Sequence, residues 1–252
     1  MAQSNRSYIG KGTIYARERN QSLTGAISLG NCNQLDIAFN ENKLEQKDYE
    51  EAGGSTVNTV SNVDSIVATV SALSLHAENV KLALRGLVTQ NSADAVTDEF
   101  KPAFPGSFVK FDAPFDKTVA PVITNEDGTE TFVEGRDYTL KNAGIVILTG
   151  TDATITDPNT TISISYTKAK STTVHGLMEV AKDYEIIFDG LNEAESGKPV
   201  SIEMYKVKFN YTQALAIISD DFSALPMTFD VLKDETITSS EKSKFLSITQ
   251  VD

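Results

Sequence analysis

In run after run of this sequence, apolar residues return at every second position, which points to a fold built almost entirely from strands. Leu35, Ile37 and Phe39 alternate with Gln34, Asp36 and Ala38, and Ser65–Leu73, rich in β-branched and small residues, reads as the partner strand. Similar patterns occupy Tyr184–Phe188, Val200–Tyr211, Gln213–Ile218, Met227–Leu232 and Phe245–Thr249. Within the longest of these, the apolar phase moves from Val200, Ile202 and Met204 to Tyr205, Val207, Phe209 and Tyr211. A one-residue slip of this kind implies a bulge, or a strand passing from one sheet to another. A single stretch has helical character: Ala77–Arg85 holds good helix formers, with Val80, Ala83, Leu84 and Leu87 on one face and Gly86 at the stop position.

Connections divide the chain. Lys43–Asp64 is polar, carries the paired Gly53-Gly54, and is long for a loop, a length that goes with function or disorder. Thr89–Glu99 reads as a polar linker. It opens onto a block of short strands: Phe108–Phe111, Ala120–Thr124, a turn at Asp127-Gly128, Thr131–Val133, Asp137–Leu140, Ile145–Leu148 and Thr161–Tyr166. The expected organisation is a β domain made of residues 1–99 and 169–252, with a small all-β domain, 100–168, inserted into it.

Composition removes most chemistry. Among 252 residues, Cys32 is the one cysteine, so neither an intrachain disulfide nor a multi-thiolate zinc site can form. His76 and His175 are the only histidines and Trp is absent. With 22 basic against 35 acidic side chains the net charge is −13, which opposes tight phosphate binding but suits a surface that DNA passes without sticking. The polar first ten residues lack the apolar run of a signal peptide, and no segment has the length of a membrane span, so a soluble protein of a reducing compartment is expected. Gly10-Lys11-Gly12-Thr13 has its glycine on the wrong side of the lysine for a phosphate loop and reads as a turn. Asn125–Gly128 lacks the later glutamate of a calcium loop and reads as a hairpin turn. Asp220-Asp221 reads as a solvated turn, His76 as a packed or capping residue, His175 as a loop residue and Cys32 as an inert, partly buried thiol. The Asn159-Thr160-Thr161 triplet carries no weight without a secretion signal. No catalytic constellation, metal site or cofactor site emerges, and the chain is expected not to be an enzyme.

In the first eighty-odd residues a strand with Gly30, Asn31, Leu35 and Ile37 leads into a polar hairpin with Asp48, Tyr49, Gly53 and Gly54. A returning strand then meets a helix with Glu78, Asn79, Leu82, Ala83, Leu84, Arg85 and Gly86. This order of pieces resembles bacteriophage tail tube proteins. Tyr184–Asn192, Tyr205–Phe209 and Phe229–Asp234 look like the closing strands of that domain, and the middle block looks like the β insertions some tube proteins carry. The resemblance implies a mainly-β tube-type sandwich or barrel with one short helix and a long hairpin loop. It also implies hexameric rings stacked into a hollow virion tail, assembled in the bacterial host cytoplasm and conducting double-stranded DNA. Its expected partners are further copies of itself, tape measure, tail terminator and baseplate or tail-tip proteins, and a sheath if the tail contracts; no membrane insertion is expected. The hairpin residues Asp48, Tyr49, Glu50, Glu51, Gly53 and Gly54 are expected to contact an adjacent ring, with Lys43–Asp64 mobile until stacking. The inserted domain is expected on the outer surface. Asp36 and Glu203, out of phase with their apolar neighbours, are the candidates to face an acidic lumen. The competing reading is a carbohydrate- or protein-binding β-sandwich, an adhesin or decoration module; a hydrolase comes third.

Overall fold

Sixteen strands and one α-helix follow one another in a computed structural model that describes residues 7–19, 25–50, 52–157 and 160–251. The chain is mainly β and divides into two units, Met1–Val88 with Val174–Asp252, and Thr89–Thr173.

The first unit opens with β1 (Gly10–Glu18), β2 (Ile27–Ser28), β3 (Cys32–Lys47), β4 (Thr56–Ala72) and the helix α1 (Ala77–Leu84), followed by β5 (Leu87–Asn91). The second unit holds β6 (Ala95–Ala103), β7 (Phe108–Lys110), β8 (Val122–Asn125), β9 (Tyr138–Lys141), β10 (Gly144–Ile147) and β11 (Thr160–Thr167). The chain then returns through β12 (Ser171–His175), which pairs with β5, to β13 (Tyr184–Asn192), β14 (Lys198–Phe209), β15 (Leu225–Val231) and β16 (Leu246–Gln250).

In the first unit one antiparallel sheet runs β2-β1-β13-β14-β15-β4-β3, with β16 added beside β14. Its path ends at β2 and β3, so the sheet is open. One face makes the core: Ile14 and Ala16, Ile186 and Phe188, Met204, Val207 and Phe209, Met227 and Phe229, and Ala68 and Val70, covered by Leu82 and Ala83 of α1. The phase change in β14 is a bulge. Ile186 opposes Met204 and Tyr184 opposes Val207, so three steps on β14 match two on β13. There β14 also exchanges partners, β16 up to Met204 and β15 from Val207.

Local side chains fix the helix in place. Asn79, buried, donates through Nδ2 to the carbonyls of Leu29 and Ser74, both at 2.8 Å, tying α1 to the segment before β3. His76 holds the N-cap position without a side-chain capping bond. The helix ends one residue earlier than expected, because Arg85 itself adopts the left-handed cap, φ 46°. Gly86 serves a close approach instead: a Cβ there would lie 2.8 Å from Val174 Cγ1 and 2.9 Å from the His175 carbonyl oxygen.

Several expectations need correction. Lys43–Asp64 is not a loop but the outer half of the β3–β4 hairpin, with the connection reduced to the residues between Lys47 and Thr56. Gly10–Thr13 is no turn but the paired start of β1. Gln213–Ile218 forms no strand. His175 closes β12 rather than lying in a loop. The Thr89–Glu99 stretch is largely β5 and β6, held because Val96 packs on the second core and Glu99 accepts from Tyr166 Oη (2.8 Å) and the Asp112 amide (3.0 Å). The second unit therefore starts at Thr89 and ends at Thr173, wider than 100–168. It is two three-stranded sheets, β7-β10-β9 and β6-β11-β8, enclosing Phe111, Ile123, Ile145, Ile147, Ile162 and Ile164. The Asp127-Gly128 turn stands as a hairpin, with the Asn125 amide donating to the Glu130 carbonyl at 3.0 Å.

Across β1 and β13, Gly12 faces Gly190 and the ring of Phe188 covers the pair: a Cβ on Gly190 would lie 2.3 Å from that ring. Gly190→Val should cost about 1–3 kcal/mol by overpacking, read as a lowered urea midpoint with an unchanged slope.

Candidate assembly site

The outer half of the β3–β4 hairpin is a free-standing arm. Beyond Phe39 and Ile66 none of the described residues covers it, and every described residue from Asn40 to Asp64 except half-buried Asp48 is exposed. Eight residues of extended chain from Phe39 to Lys47 carry it roughly 25 Å past the core. The arm keeps strand form because its return strand is rich in β-branched residues (Thr56, Val57, Thr59, Val60, Val63), which favour extended backbone even without burial.

The register gives its two faces different chemistry. One pairs Glu41 with Val63, Lys43 with Ser61, Glu45 with Thr59 and Lys47 with Thr56. Along it, Glu45 takes Lys43 Nζ at 2.8 Å and Lys47 Nζ at 2.7 Å. Hydrogen bonds from Lys43 and then Lys47, with their charges, hold the Glu45 carboxyl down at about 2. The other face pairs Asn42 with Asn62, Leu44 with Val60 and Gln46 with Asn58, and carries no charge. Leu44 and Val60 are 65% and 52% exposed. Sequence reading passed over this pair, whose only signal is a leucine and a valine amid amides.

At the tip the structure brings Asp48, Tyr49, Glu50, Gly53 and Gly54 together; Glu51 lies outside the described residues, as does Asn159 of the triplet noted above. The Asp48 amide donates to the Ser55 carbonyl at 2.7 Å, and Asp48 Oδ1 accepts from the Glu50 amide at 2.8 Å. Gly53 (φ 122°) and Gly54 (φ 58°) supply the positive dihedrals that turn the chain. Tyr49, 90% exposed, crowns the turn.

Asp36 and Glu203 share the sheet face opposite the core. Asp36 stands beside Thr69, which is beside Thr228, while Glu203 stands between Ile187 and Ser247. Asp36 is exposed and accepts from Gln34 Nε2; Leu35 and Ile37 on either side pack on the core. Alternation places Asp189, Glu185 and Asp230 on this face too, with Lys11, Arg17, Lys206 and Lys208, so five acids stand against four bases. Glu203, half-buried, borders a cleft of about 650 Å³ with Arg17, Arg19, Glu185 and Asp234. Its arginines are already neutralised: Arg17 pairs with Glu185, and Arg19 lies 2.8 Å from Asp234 Oδ2. Burial would raise the Asp234 pKa, but the Thr236 hydroxyl and Arg19 outweigh it and hold it below the usual carboxylate value. Burial also raises the Cys32 thiol pKa.

No group of three or more metal-ligating side chains occurs among the described residues, and no helix among them is long and apolar enough to cross a membrane. A family model described as a protein of unknown function, UCP028589, matches residues 7–249. No curated protein matches the chain.

Proposed function

The chain belongs to the uncharacterised family UCP028589, and from its own geometry we propose that it is the structural subunit of a phage tail tube, six copies to a ring and rings stacked into a DNA-conducting cylinder. The observation that carries this reading is the arm. A two-stranded ribbon with solvent on both faces is at best marginally stable alone, and one that exposes Leu44, Val60 and Tyr49 is suited to docking on another subunit. Edges support it as well. Among the described residues the outer edge of β3 has no strand partner, and the outer edge of β1 is met by a short segment, β2 at Tyr15 and Ala16 and the Leu29 amide at the Ile14 carbonyl. Open edges of this kind are relieved when neighbouring copies join their sheets. The subunit acts without catalysis, in the virion tail, beside tape measure, terminator and tip or baseplate proteins.

Negative-stain microscopy of the purified chain tests the reading: rings or hollow tubes are expected, and a monodisperse monomer at every concentration would end it. The second reading, a carbohydrate- or protein-binding module, draws on Phe100 and Val122, exposed on the outer face of β6-β11-β8 beside Thr124 and Ser163. Such a module would stay monomeric and bind ligand.

In a tube, the acidic face would line the lumen, where repulsion keeps the genome from adhering. Asp36→Lys should leave assembly intact and slow DNA ejection most at low salt, since each phosphate contact strengthens as salt falls. Ejection rates that match wild type at every salt concentration would take Asp36 out of the lumen.

A further inference from the structure

The six most exposed large apolar side chains among the described residues divide between two places. One is Tyr49 at the arm tip; the other five are Phe222 (98%), Ile218 (96%), Val180 (83%), Ile217 and Leu177. These five sit on two loops of the first unit, one before β13 and one between β14 and β15.

Both loops are held in place. The Leu84 carbonyl accepts from the Leu177 amide at 2.9 Å, and the Arg85 carbonyl accepts from Met178 and Glu179 at 3.2 and 2.9 Å. The Arg85 guanidinium donates to the Phe209 carbonyl through Nε (3.0 Å) and Nη2 (2.7 Å) and lies 4.2 Å from the Tyr211 ring centroid. The Thr212 amide donates to the Ala83 carbonyl at 2.9 Å. The C-terminal end of α1 thus anchors both apolar loops.

Their position along the sheet is set by register. The second loop enters β15 at Leu225, opposite Ala72, the last residue of β4, whereas the arm tip precedes the first residue of β4. The first loop enters β13 at Tyr184, opposite Glu18 at the end of β1 and Val207 near the end of β14, again the end away from the arm. Charge points to the occupant. Copies of a chain with net charge −13 repel one another, so they meet most readily through uncharged surfaces. The arm face of Asn42, Leu44, Gln46, Asn58, Val60 and Asn62 has no charge, and neither does Thr212–Ser219, the part of the second loop that carries Ile217 and Ile218. Asp220, Asp221 and Glu179 lie at the margins of this stretch and of the first loop.

We propose that these two loops form the seat for the arm of the next copy, so that subunits associate head to tail. One contact then covers both apolar surfaces, and because the two surfaces differ and lie at opposite ends, it is a head-to-tail contact that repeats from copy to copy. The proposal rests on the tube reading above and names the receiving surface within it.

Paired Ile217→Asp and Ile218→Asp, at side chains already in water, should leave thermal unfolding unchanged. They should raise the protein concentration needed for tube formation about tenfold to hundredfold, or abolish tubes. In a Cys32→Ser background, Leu44→Cys with Ile218→Cys should give a ladder of covalent oligomers with a short bismaleimide, and either cysteine alone should not. Tubes that form at wild-type concentration from the paired-aspartate chain, or tubes of the double-cysteine chain that give no ladder, would overturn the seat while leaving the tube reading intact. A wild-type chain that forms neither rings nor tubes would overturn both.

Discussion

A chain in which Glu41–Asp64 is replaced by Asn-Gly is expected to fold, to unfold with a free energy within about 1 kcal/mol of wild type, and to form no tubes. The cut falls just outside the Asn40–Ser65 pair, which a two-residue turn can close. Every described residue removed is exposed apart from half-buried Asp48, so the excised arm contributes almost no buried apolar area to the isolated subunit. Its worth, on the proposed function, lies wholly in the contact with another copy. Circular dichroism melts and microscopy on the same preparation separate the two effects. Tubes of ordinary length from the armless chain would remove the arm from assembly, and an unfolded product would show that the arm supports the core.

The second large effect lies in the inserted unit. Asp137→Asn should destabilise that unit by about 1–3 kcal/mol, the cost of losing charge-assisted hydrogen bonds and leaving buried amide donors without a matching acceptor. The Asp137 side chain is 0% exposed and accepts from Arg136 Nη2 at 2.7 Å and from the amides of Val133 and Thr154, both at 2.8 Å. Burial alone would raise its pKa; the Arg136 guanidinium and the Thr154 and Val133 amides outweigh burial and hold it far below the usual value. An amide in its place would turn an NH2 toward backbone donors. The sign with pH follows from that depression. The stabilisation is complete above the unfolded-state pKa of about 3.9 and is lost as pH falls below it toward the folded-state value. Denaturant titrations at pH 7 and pH 3 should therefore show the wild-type advantage over Asp137→Asn shrinking at the lower pH. An advantage independent of pH would mean that Asp137 acts by shape and not by charge.

Strands with one buried face could be read from the sequence because burial writes itself as alternation: Ile186 and Phe188, Met227 and Phe229, and Leu35 and Ile37 all point into the core. The bulge in β14 showed itself as the displaced phase around Tyr205. Where neither face is buried the signal disappears, and the arm was therefore taken for a loop; only its β-branched return strand hinted otherwise. Gln213–Ile218 failed in the opposite way. It has the apolar pattern of a strand, but none of the described strands pairs with it. The linker reading of Thr89–Glu99 missed that two contacts, Val96 on the core and Glu99 with Tyr166, suffice to hold polar residues in a sheet. Among the candidate site residues, alternation placed Asp36 and Glu203 on the face away from the core, and the turn chemistry of Asp48, Gly53 and Gly54 was plain. The uncharged face at Leu44 and Val60 was not, since it appears only once register sets residues from two strands side by side.

β3 and β4 each continue as one strand from core to arm tip, with a bulge at Asp64 where the arm leaves the core, and this continuity has a mechanical consequence. A pull on the arm enters the backbone of β4 directly, without passing through a flexible joint. The hydrogen-bonded ladder between β4 and β15 sets Ala68 and Val70 opposite Phe229 and Met227, and the ladder between β15 and β14 sets Phe229 opposite Phe209. Tension along the strands loads these hydrogen bonds side by side, in shear, instead of peeling them one after another. The arm is thus a tie rod and not a tether, and a filament held by such arms would resist stretching with the strength of the sheet itself.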